Sequence, residues 1–385
     1  MKVYLDHHAT TPCDPRVVQA MAPCWSDAFG NAGSRGHSWG RMAAHHLDRA
    51  REEVARRVGG EAREIVFTSG ATEANNLAIL GTLRASGSTR RGFVTVATEH
   101  PSVLEAAAAA RIAGHPVDVL PVDGDGRLDP ERLAAAVDAS TALVSVMAVN
   151  NEIGTIQPIA DLAAVARRVG ARFHCDAVQA GALLPIDVAA WDVDLLSLSA
   201  HKMHGPMGVG ALWVRRRPAA TLVPVALGGG QERGLRSGTV AVPLAVGFGA
   251  SCTVALEAMA AGAAERVGAL RDRLERALVG ALSDTVVHGG HRAPHNLHVA
   301  FEGVDGPSLL AKLRTIAASS GSACASADLR PSHVLTAIGA VRDGTWASLR
   351  FGLARTTTEE EVDYVAVAVI DAVVHLRRER AQFGG

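Results

Sequence analysis

The residues with the clearest chemical potential surround a lysine that follows an apolar run. The stretch "VDLLSLSAHKMHGPMGVGALWVRR", residues 193–216, places Lys202 between two apolar segments. We therefore predict that Lys202 lies at a strand end, where open α/β sheets collect ligands. A lysine held in such a crevice gives up its proton more easily than one in water, and its amine can then form a Schiff base. The alternative is an ordinary solvated lysine in a loop.

Three upstream segments carry groups that suit a phosphorylated pyridine aldehyde. "FTSGATEANNLAIL" predicts a strand, a turn and a helix that begins near Ala71 and Thr72, whose free N–H groups favour a phosphate. Asp176 in "RFHCDAVQA" ends an apolar run, where a carboxylate needs a partner such as a protonated pyridine nitrogen. His100 in "ATEHPSVL" is a candidate for ring stacking and proton transfer. Each feature alone has a structural explanation, but together they predict a pyridoxal-phosphate site.

A cysteine near the C-terminus is a further candidate. Cys324 lies in "SSGSACASAD", residues 319–328, and is either a small core residue or a nucleophile, because its surroundings decide its reactivity. The odd number and wide spacing of the cysteines favour reduced thiols in a cytosolic protein over a disulfide framework. We expect Cys175 to pack in the core, and we expect structural roles for the remaining three, Cys13, Cys24 and Cys252.

Short apolar runs alternate with helical patterns along most of the chain, which predicts βαβ units and a mostly parallel sheet. The strand candidates are "EIVFTS", "FVTVAT", "ALVSVMAV", "RFHCDA", "VDLLSLS" and "GALWVRR", followed later by "NLHVAFEG" and "SLRFGLAR". The stretch "RMAAHHLDRAREEVARRV" has helical periodicity, and Asp14–Pro15 is typical of a helix start. We also predict a long helix over roughly 254–283 and a final helix from Thr358.

Composition limits the classes of partner. The chain has 385 residues, of which 48% are hydrophobic and 20% charged, with a formal net charge of −1. The length and composition predict a two-domain globular protein. The near-zero net charge predicts no overall electrostatic field that would attract nucleic acid or an anionic membrane. The N-terminus lacks the apolar core of an export signal, and residues 239–256 predict a helix of small residues packed inside the fold. We therefore expect a soluble, cytoplasmic protein.

Other ligand motifs are weak. The histidines of "VVHGGHRAPHNLHV", residues 286–299, have no nearby cysteine or acid, so we expect no metal site there. "GPMGVG" differs from the dinucleotide pattern G-x-G-x-x-G, and the sequence contains no Walker A motif.

These segments resemble the cysteine desulfurases of the class V, fold-type I pyridoxal-phosphate enzymes, of the iron–sulfur and nitrogen-fixation type. The matching stretches cover nearly the whole chain in the family's order: "LDHHATTP", "FTSGATEANNLAI", "TEHPSVL", "NNEIGTIQPI", "HCDAVQA", "SLSAHKMHGPMGVGAL", "GGGQERGLRSGT", "PHNLHVAF", "SSGSACASA" and "SLRFGLARTTTEEEVDY". The pattern departs from the family at Ala200, where glycine is common, and at Met203, His204 and Met207 after the lysine.

The resemblance implies a fold and a domain division. It implies an α/β fold-type I enzyme whose large domain, residues 13–254, has a mostly parallel seven-stranded sheet flanked by helices. A smaller α/β domain would combine residues 1–12 and 255–385 and carry the cysteine loop at about 319–331. The resemblance also implies a homodimer.

The resemblance assigns roles residue by residue. Lys202 would hold pyridoxal 5′-phosphate as a Schiff base, and Cys324 would be the nucleophile. Asn151 and Arg350 would bind the substrate carboxylate. The other implied cofactor ligands are Ala71, Thr72, Ser199 and His201 on the phosphate with Thr239 of a second subunit, Asp176 on the pyridine nitrogen, Gln179 on the ring hydroxyl and His100 stacked on the ring.

The implied reaction converts L-cysteine to L-alanine and leaves a persulfide on Cys324, with His100 as the candidate base. A sulfur-acceptor protein would then receive the sulfur for iron–sulfur cluster assembly or thiolation. The chain ends at "LRRERAQFGG", without the longer tail by which iron–sulfur members dock a scaffold, so the acceptor is open. The alternatives are a selenocysteine lyase or another class V enzyme, and a sulfur-relay or assembly partner with secondary activity.

Overall fold

The computed structural model describes residues 1–217, 219–319, 332–341 and 345–383. The strands of the described residues are β1 (Val3–Tyr4), β2 (Ile65–Thr68), β3 (Gly92–Val96), β4 (Val117–Leu120), β5 (Thr141–Ser145), β6 (Arg172–Asp176), β7 (Leu195–Ser199), β8 (Gly210–Val214), β9 (Thr285–His288), β10 (Asn296–Glu302), β11 (Ile316–Ala317) and β12 (Trp346–Gly352). The helices are α1 (Pro15–Met21), α2 (Pro23–Ser26), α3 (Ser38–Val58), α4 (Ala71–Ala85), α5 (Pro101–Ile112), α6 (Pro130–Ala136), α7 (Ile159–Arg168), α8 (Val242–Ala260), α9 (Ala263–Ala281), α10 (Gly306–Lys312), α11 (His333–Ala337) and α12 (Glu359–Phe383).

The central element is a seven-stranded sheet with the order β2-β8-β7-β6-β5-β3-β4. Strand β8 runs antiparallel to both of its neighbours, and the pairs β7–β6, β6–β5, β5–β3 and β3–β4 are parallel. The predicted mostly parallel seven-stranded sheet is therefore confirmed. Strands β5, β7 and β8 are buried along their whole length, which explains their mainly apolar sequence. The carboxyl ends of the parallel strands meet at one edge, where ligands bind in this class of sheet.

Local signals fix where helices begin. At α1 the Asp14 side chain accepts the Arg16 N–H at 2.8 Å and Pro15 takes the first helical position, so the predicted helix start is confirmed. At α12, Thr358 Oγ1 accepts the Glu361 N–H at 3.2 Å while the Glu361 carboxylate accepts the Thr358 N–H at 2.9 Å. This reciprocal pair is a capping box, and it places the start of the last helix where the sequence predicted it.

The predicted single helix over 254–283 is wrong. Helix α8 ends at Ala260 and α9 begins at Ala263, with Gly262 between them at φ 76°. A glycine adopts this left-handed conformation without steric cost, so the chain turns there and two helices form. Helix α8 is long and apolar enough to cross a membrane by length and composition alone, and 50% of its apolar window is buried in the fold. It packs along α3 and α1.

A second hydrophobic core lies apart from the central sheet. It joins Val3 and Leu5 to apolar residues between Ala263 and Leu376, beneath the antiparallel sheet β12-β10-β9. Strand β1 pairs in parallel with β11, which brings the N-terminal segment onto the C-terminal part of the chain. Helix α8 crosses residue 254, where the sequence predicted a domain boundary, and the division into two domains stays a prediction.

Candidate functional site

Lys202 closes a short 3-10 turn, Ala200–Lys202, directly after β7. This position at a strand end is the one that the flanking apolar runs predicted. The Lys202 ammonium contacts the carbonyl oxygens of His8 and Ala9, the latter at 2.7 Å. Gln179 Nε2 donates to the same His8 carbonyl at 3.2 Å. His8 and Ala9 of the N-terminal segment therefore lie against Lys202, and the shared His8 carbonyl connects Lys202 to Gln179.

Asp176 is the last residue of β6 and is 6% exposed. Its Oδ1 accepts the Val178 N–H at 3.1 Å, and its Oδ2 accepts Asn75 Nδ2 of α4 at 2.7 Å. Both carboxylate oxygens of Asp176 therefore have a hydrogen-bond donor at this depth. Sequence reasoning missed Asn75, although its place four residues after Ala71 puts the two residues on one face of α4.

His100 lies at the start of a helix, although the apolar run before it predicts a position at a strand end. Strand β3 ends at Val96, and His100 is the N-cap of α5, where its Nδ1 accepts the Ser102 N–H at 3.1 Å. Burial lowers the pKa of His100, the Asp176 charge opposes that shift, and Lys202 adds to it. The structure thus brings His100, Asp176 and Lys202 close enough to interact, although they lie at or after the ends of three different strands.

The predicted phosphate ligands cluster around the start of α4 and the end of β7. Ala71 and Thr72 form the first turn of the 15-residue helix α4, Ser199 is the buried last residue of β7, and His201 follows it. Burial, with Lys202 as the second cause, lowers the pKa of His201 to about 4, so its ring is neutral at pH 7.

Thr239, predicted to reach a second subunit, is exposed in this single chain. The preceding segment is attached to α4, because Arg236 pairs with Glu73 at 2.8 Å and Glu73 also accepts the Ser69 N–H at 2.6 Å. A Thr239 contact across a dimer stays a prediction.

The two predicted carboxylate-binding residues meet at β12. Arg350 is 1% exposed, and its guanidinium donates to the Asn151 carbonyl at 2.9 Å and to Asp6 Oδ1 at 2.8 Å. Arg350 is therefore held between the N-terminal segment and the turn after β5. Sequence reasoning missed Asp6, which lies inside the quoted stretch "LDHHATTP". The sequence feature that could have identified it is its acidic side chain.

Cys324 and its loop at 320–331 lie outside the described residues. The residues that flank them contact the site. Ser319 exchanges backbone hydrogen bonds with Arg350 at 3.3 and 2.7 Å, and Ser332 Oγ donates to the buried Glu152 carboxylate at 2.7 Å. His333 Nε2 lies 2.9 Å from the Glu99 carbonyl. Ser319 and Ser332, the described residues on either side of the loop, thus lie beside the proposed substrate ligands.

Four residues that the sequence analysis considered are buried in the fold: Cys175, His288, His295 and His298. Cys175 is 0% exposed, as predicted for a core residue, and burial raises the pKa of its thiol well above the usual range. His288 and His298 lie 2.9 Å apart through their Nδ1 atoms, whereas His295 packs against His8. Within the described ranges, no group of three or more His, Cys, Asp or Glu side chains could hold a metal ion.

The donor set fits pyridoxal phosphate. A lysine amine at one strand end can bind the aldehyde, and a buried carboxylate at the next strand end can pair with the pyridine nitrogen. The N-terminus of α4 presents unpaired N–H groups to a phosphate. The fit rests on three chemically different groups gathered at the carboxyl edge of one sheet.

Comparison with known proteins extends this result beyond the site. Residues 3–365 match the family described as aminotransferase class-V. A protein named cysteine desulfurase IscS, from Anaeromyxobacter sp. (strain Fw109-5), is 50% identical over 378 residues, which cover 97% of this chain and 93% of that protein. A solved structure described as a NifS-like protein has a TM-score of 0.90 at 35% identity, over 97% of this chain and 100% of that one. The structure of SspA in complex with cysteine has a TM-score of 0.80 at 35% identity, over 93% and 100% of the two chains.

Proposed function

The chain belongs to the aminotransferase class-V family, and from this we propose that it is a cysteine desulfurase that transfers the sulfur of L-cysteine to its own Cys324. The observation that carries the proposal is the 50% identity to a protein named cysteine desulfurase, over 97% of this chain. The convergence of Lys202, Asp176, His100 and Arg350 at one sheet edge supports it, because these groups suit an amino-acid substrate.

Pyridoxal phosphate, when bound, supplies an electron sink next to the substrate's α-carbon. In the proposal, Lys202 would hold its aldehyde, Asp176 would pair with its ring nitrogen and Gln179 with its hydroxyl. The first turn of α4, with Ser199 and His201, would hold its phosphate. Thr239 of a second subunit would complete the phosphate site.

Arg350 binds the substrate carboxylate, because its planar guanidinium matches a carboxylate with two parallel hydrogen bonds. The Lys202 amine would move a proton at the substrate α-carbon. The Cys324 thiolate attacks the substrate Sγ, so that an S–S bond forms while the Cβ–Sγ bond breaks and its electron pair stays with the carbon fragment. Protonation of that fragment gives alanine, and the sulfur remains on Cys324 as a persulfide.

Exposed apolar side chains support the proposed homodimer. Trp25, Phe29 and Leu227 are 63%, 64% and 82% exposed, and Trp39 and Met207 are also more than half exposed. Side chains of this size at the surface of one chain are typical of a protein–protein interface. A sulfur-acceptor protein is the second proposed partner.

Two substitutions test the roles of Lys202 and Cys324. The purified protein should be yellow, and Lys202→Ala should lose the Schiff-base absorbance; a wild type that stays colourless after cofactor is added would contradict the cofactor proposal. Cys324→Ser should keep the cofactor spectrum but release no sulfide, whereas Cys13→Ser, at a half-buried cysteine outside the proposed site, should release sulfide like the wild type. Undiminished sulfide from Cys324→Ser would show that the nucleophile is wrongly assigned.

A further inference from the structure

The hydrogen bonds around His100 have a defined direction. Its Nδ1 lies 3.1 Å from the backbone nitrogen of Ser102 and 2.8 Å from Ser102 Oγ. A backbone N–H can only donate, so Nδ1 must offer it a lone pair and carry no proton. In a neutral imidazole the proton then sits on Nε2.

The Ser102 hydroxyl has its own direction, set by Asn75. Asn75 Nδ2 donates to Ser102 Oγ at 2.9 Å and to Asp176 Oδ2 at 2.7 Å. The orientation of this amide is fixed, because turning it over would place the Asn75 oxygen against the Asp176 carboxylate. Since Ser102 Oγ accepts from Asn75, its single hydrogen is available to donate to His100 Nδ1.

These hydrogen bonds form a continuous buried network. Asn75 is 0% exposed and Ser102 is 8% exposed, so water does not replace these partners easily. The hydrogen-bond network starts at the Asp176 carboxylate, passes through the Asn75 amide and the Ser102 hydroxyl, and ends at His100. The Asn75 amide therefore orients the Asp176 carboxylate directly and the His100 ring through Ser102.

We infer that Asn75 and Ser102 are positioning residues that hold His100 as the neutral tautomer with its proton on Nε2, so that Nε2 is a hydrogen-bond donor available to the substrate. The role of His100 toward substrate rests on the proposed function, but its tautomer does not. His100 is therefore a donor at Nε2 and not the base that the sequence predicted. A base at Nε2 would need its proton on Nδ1, where two donors already point.

The test is nuclear magnetic resonance of the cofactor-loaded protein labelled with ¹⁵N-histidine, with the His100 signals identified by their loss in His100→Gln. The expected result is a pyridine-type Nδ1 and a pyrrole-type Nε2 at pH 7.5. A pyrrole-type Nδ1 would overturn the inference. This readout needs no turnover, so failure of the inference is distinguishable from failure of the desulfurase proposal.

The contribution of Ser102 is measured by titration. Ser102→Ala removes one donor to Nδ1 and should raise the pH at which His100 takes up a second proton by about half a unit to one unit. The charged or titratable groups that face His100, namely Glu99, Asp176, Lys202 and His333, are unchanged in this variant. Ser102→Thr keeps the hydroxyl and should titrate like the wild type. An unchanged midpoint in Ser102→Ala would overturn the role of Ser102.

Discussion

The ion pair between Asp6 and Arg350 should contribute strongly to stability. Arg350 is 1% exposed, and its guanidinium lies 2.8 Å from Asp6 Oδ1. In Asp6→Ala the guanidinium keeps the Asn151 carbonyl at 2.9 Å but loses its counter-charge. Breaking a buried pair in this way costs about 3–5 kcal/mol, because an uncompensated charge remains in the interior. Asp6 is 20% exposed, so solvent reaches one side of the pair and we expect the lower limit, about 3 kcal/mol.

Urea unfolding, followed by far-ultraviolet circular dichroism, measures this cost. The matched control is Asp363→Ala, which breaks the exposed pair of Arg273 and Asp363 at 2.6 Å. Both partners of that pair are about half exposed, so solvent screens their charges and the loss of stability should be much smaller than in Asp6→Ala. If Asp6→Ala is no more destabilising than Asp363→Ala, the argument from burial is refuted.

Two further predictions concern the core. Gly154 has φ 76°, and a Cβ there would lie 2.5 Å from Asn296 Cβ, so Gly154→Ala should lower the unfolding free energy by at least about 2 kcal/mol. Gly124→Ala is the control, since a Cβ there meets nothing within 4 Å; equal losses in the two variants would contradict the steric account. Burial lowers the pKa of His174 from 6.5 to about 3. The unfolded chain therefore gains a proton on His174 that the folded chain does not, and stability falls as the pH drops from about 6.5 toward 3. His174→Asn should reduce the pH slope of the unfolding free energy near pH 5 by about 1.4 kcal/mol per unit in urea titrations, and an unchanged slope would show that His174 is not buried as a neutral ring.

The fold was largely predictable because its parallel strands are buried on both faces. Such strands appear as mainly apolar runs, as at β5 and β7. Strand β4 was not predicted, since its burial is only partial and Asp118 interrupts the apolar pattern. The break at Gly262 was missed because helical periodicity continues on both sides of a single glycine.

The site was predictable where one residue carries the signal. Lys202 and Asp176 lie at strand ends, as their apolar flanks indicated. The contacts of Asn75 with Asp176 and Ser102, and of Asp6 with Arg350, join distant parts of the chain, so sequence spacing alone does not predict them. The role of Cys324 stays a prediction, since it lies outside the described residues.

Turnover of L-cysteine tests the central proposal most directly. The wild-type protein, incubated with L-cysteine, pyridoxal phosphate and a thiol reductant, should form alanine and sulfide in equal amounts. Parallel reactions with selenocysteine distinguish the lyase alternative, which predicts alanine from selenocysteine alone. Equimolar alanine and sulfide from L-cysteine would support the proposed desulfurase, and a cofactor-loaded protein that forms no alanine from L-cysteine would contradict it.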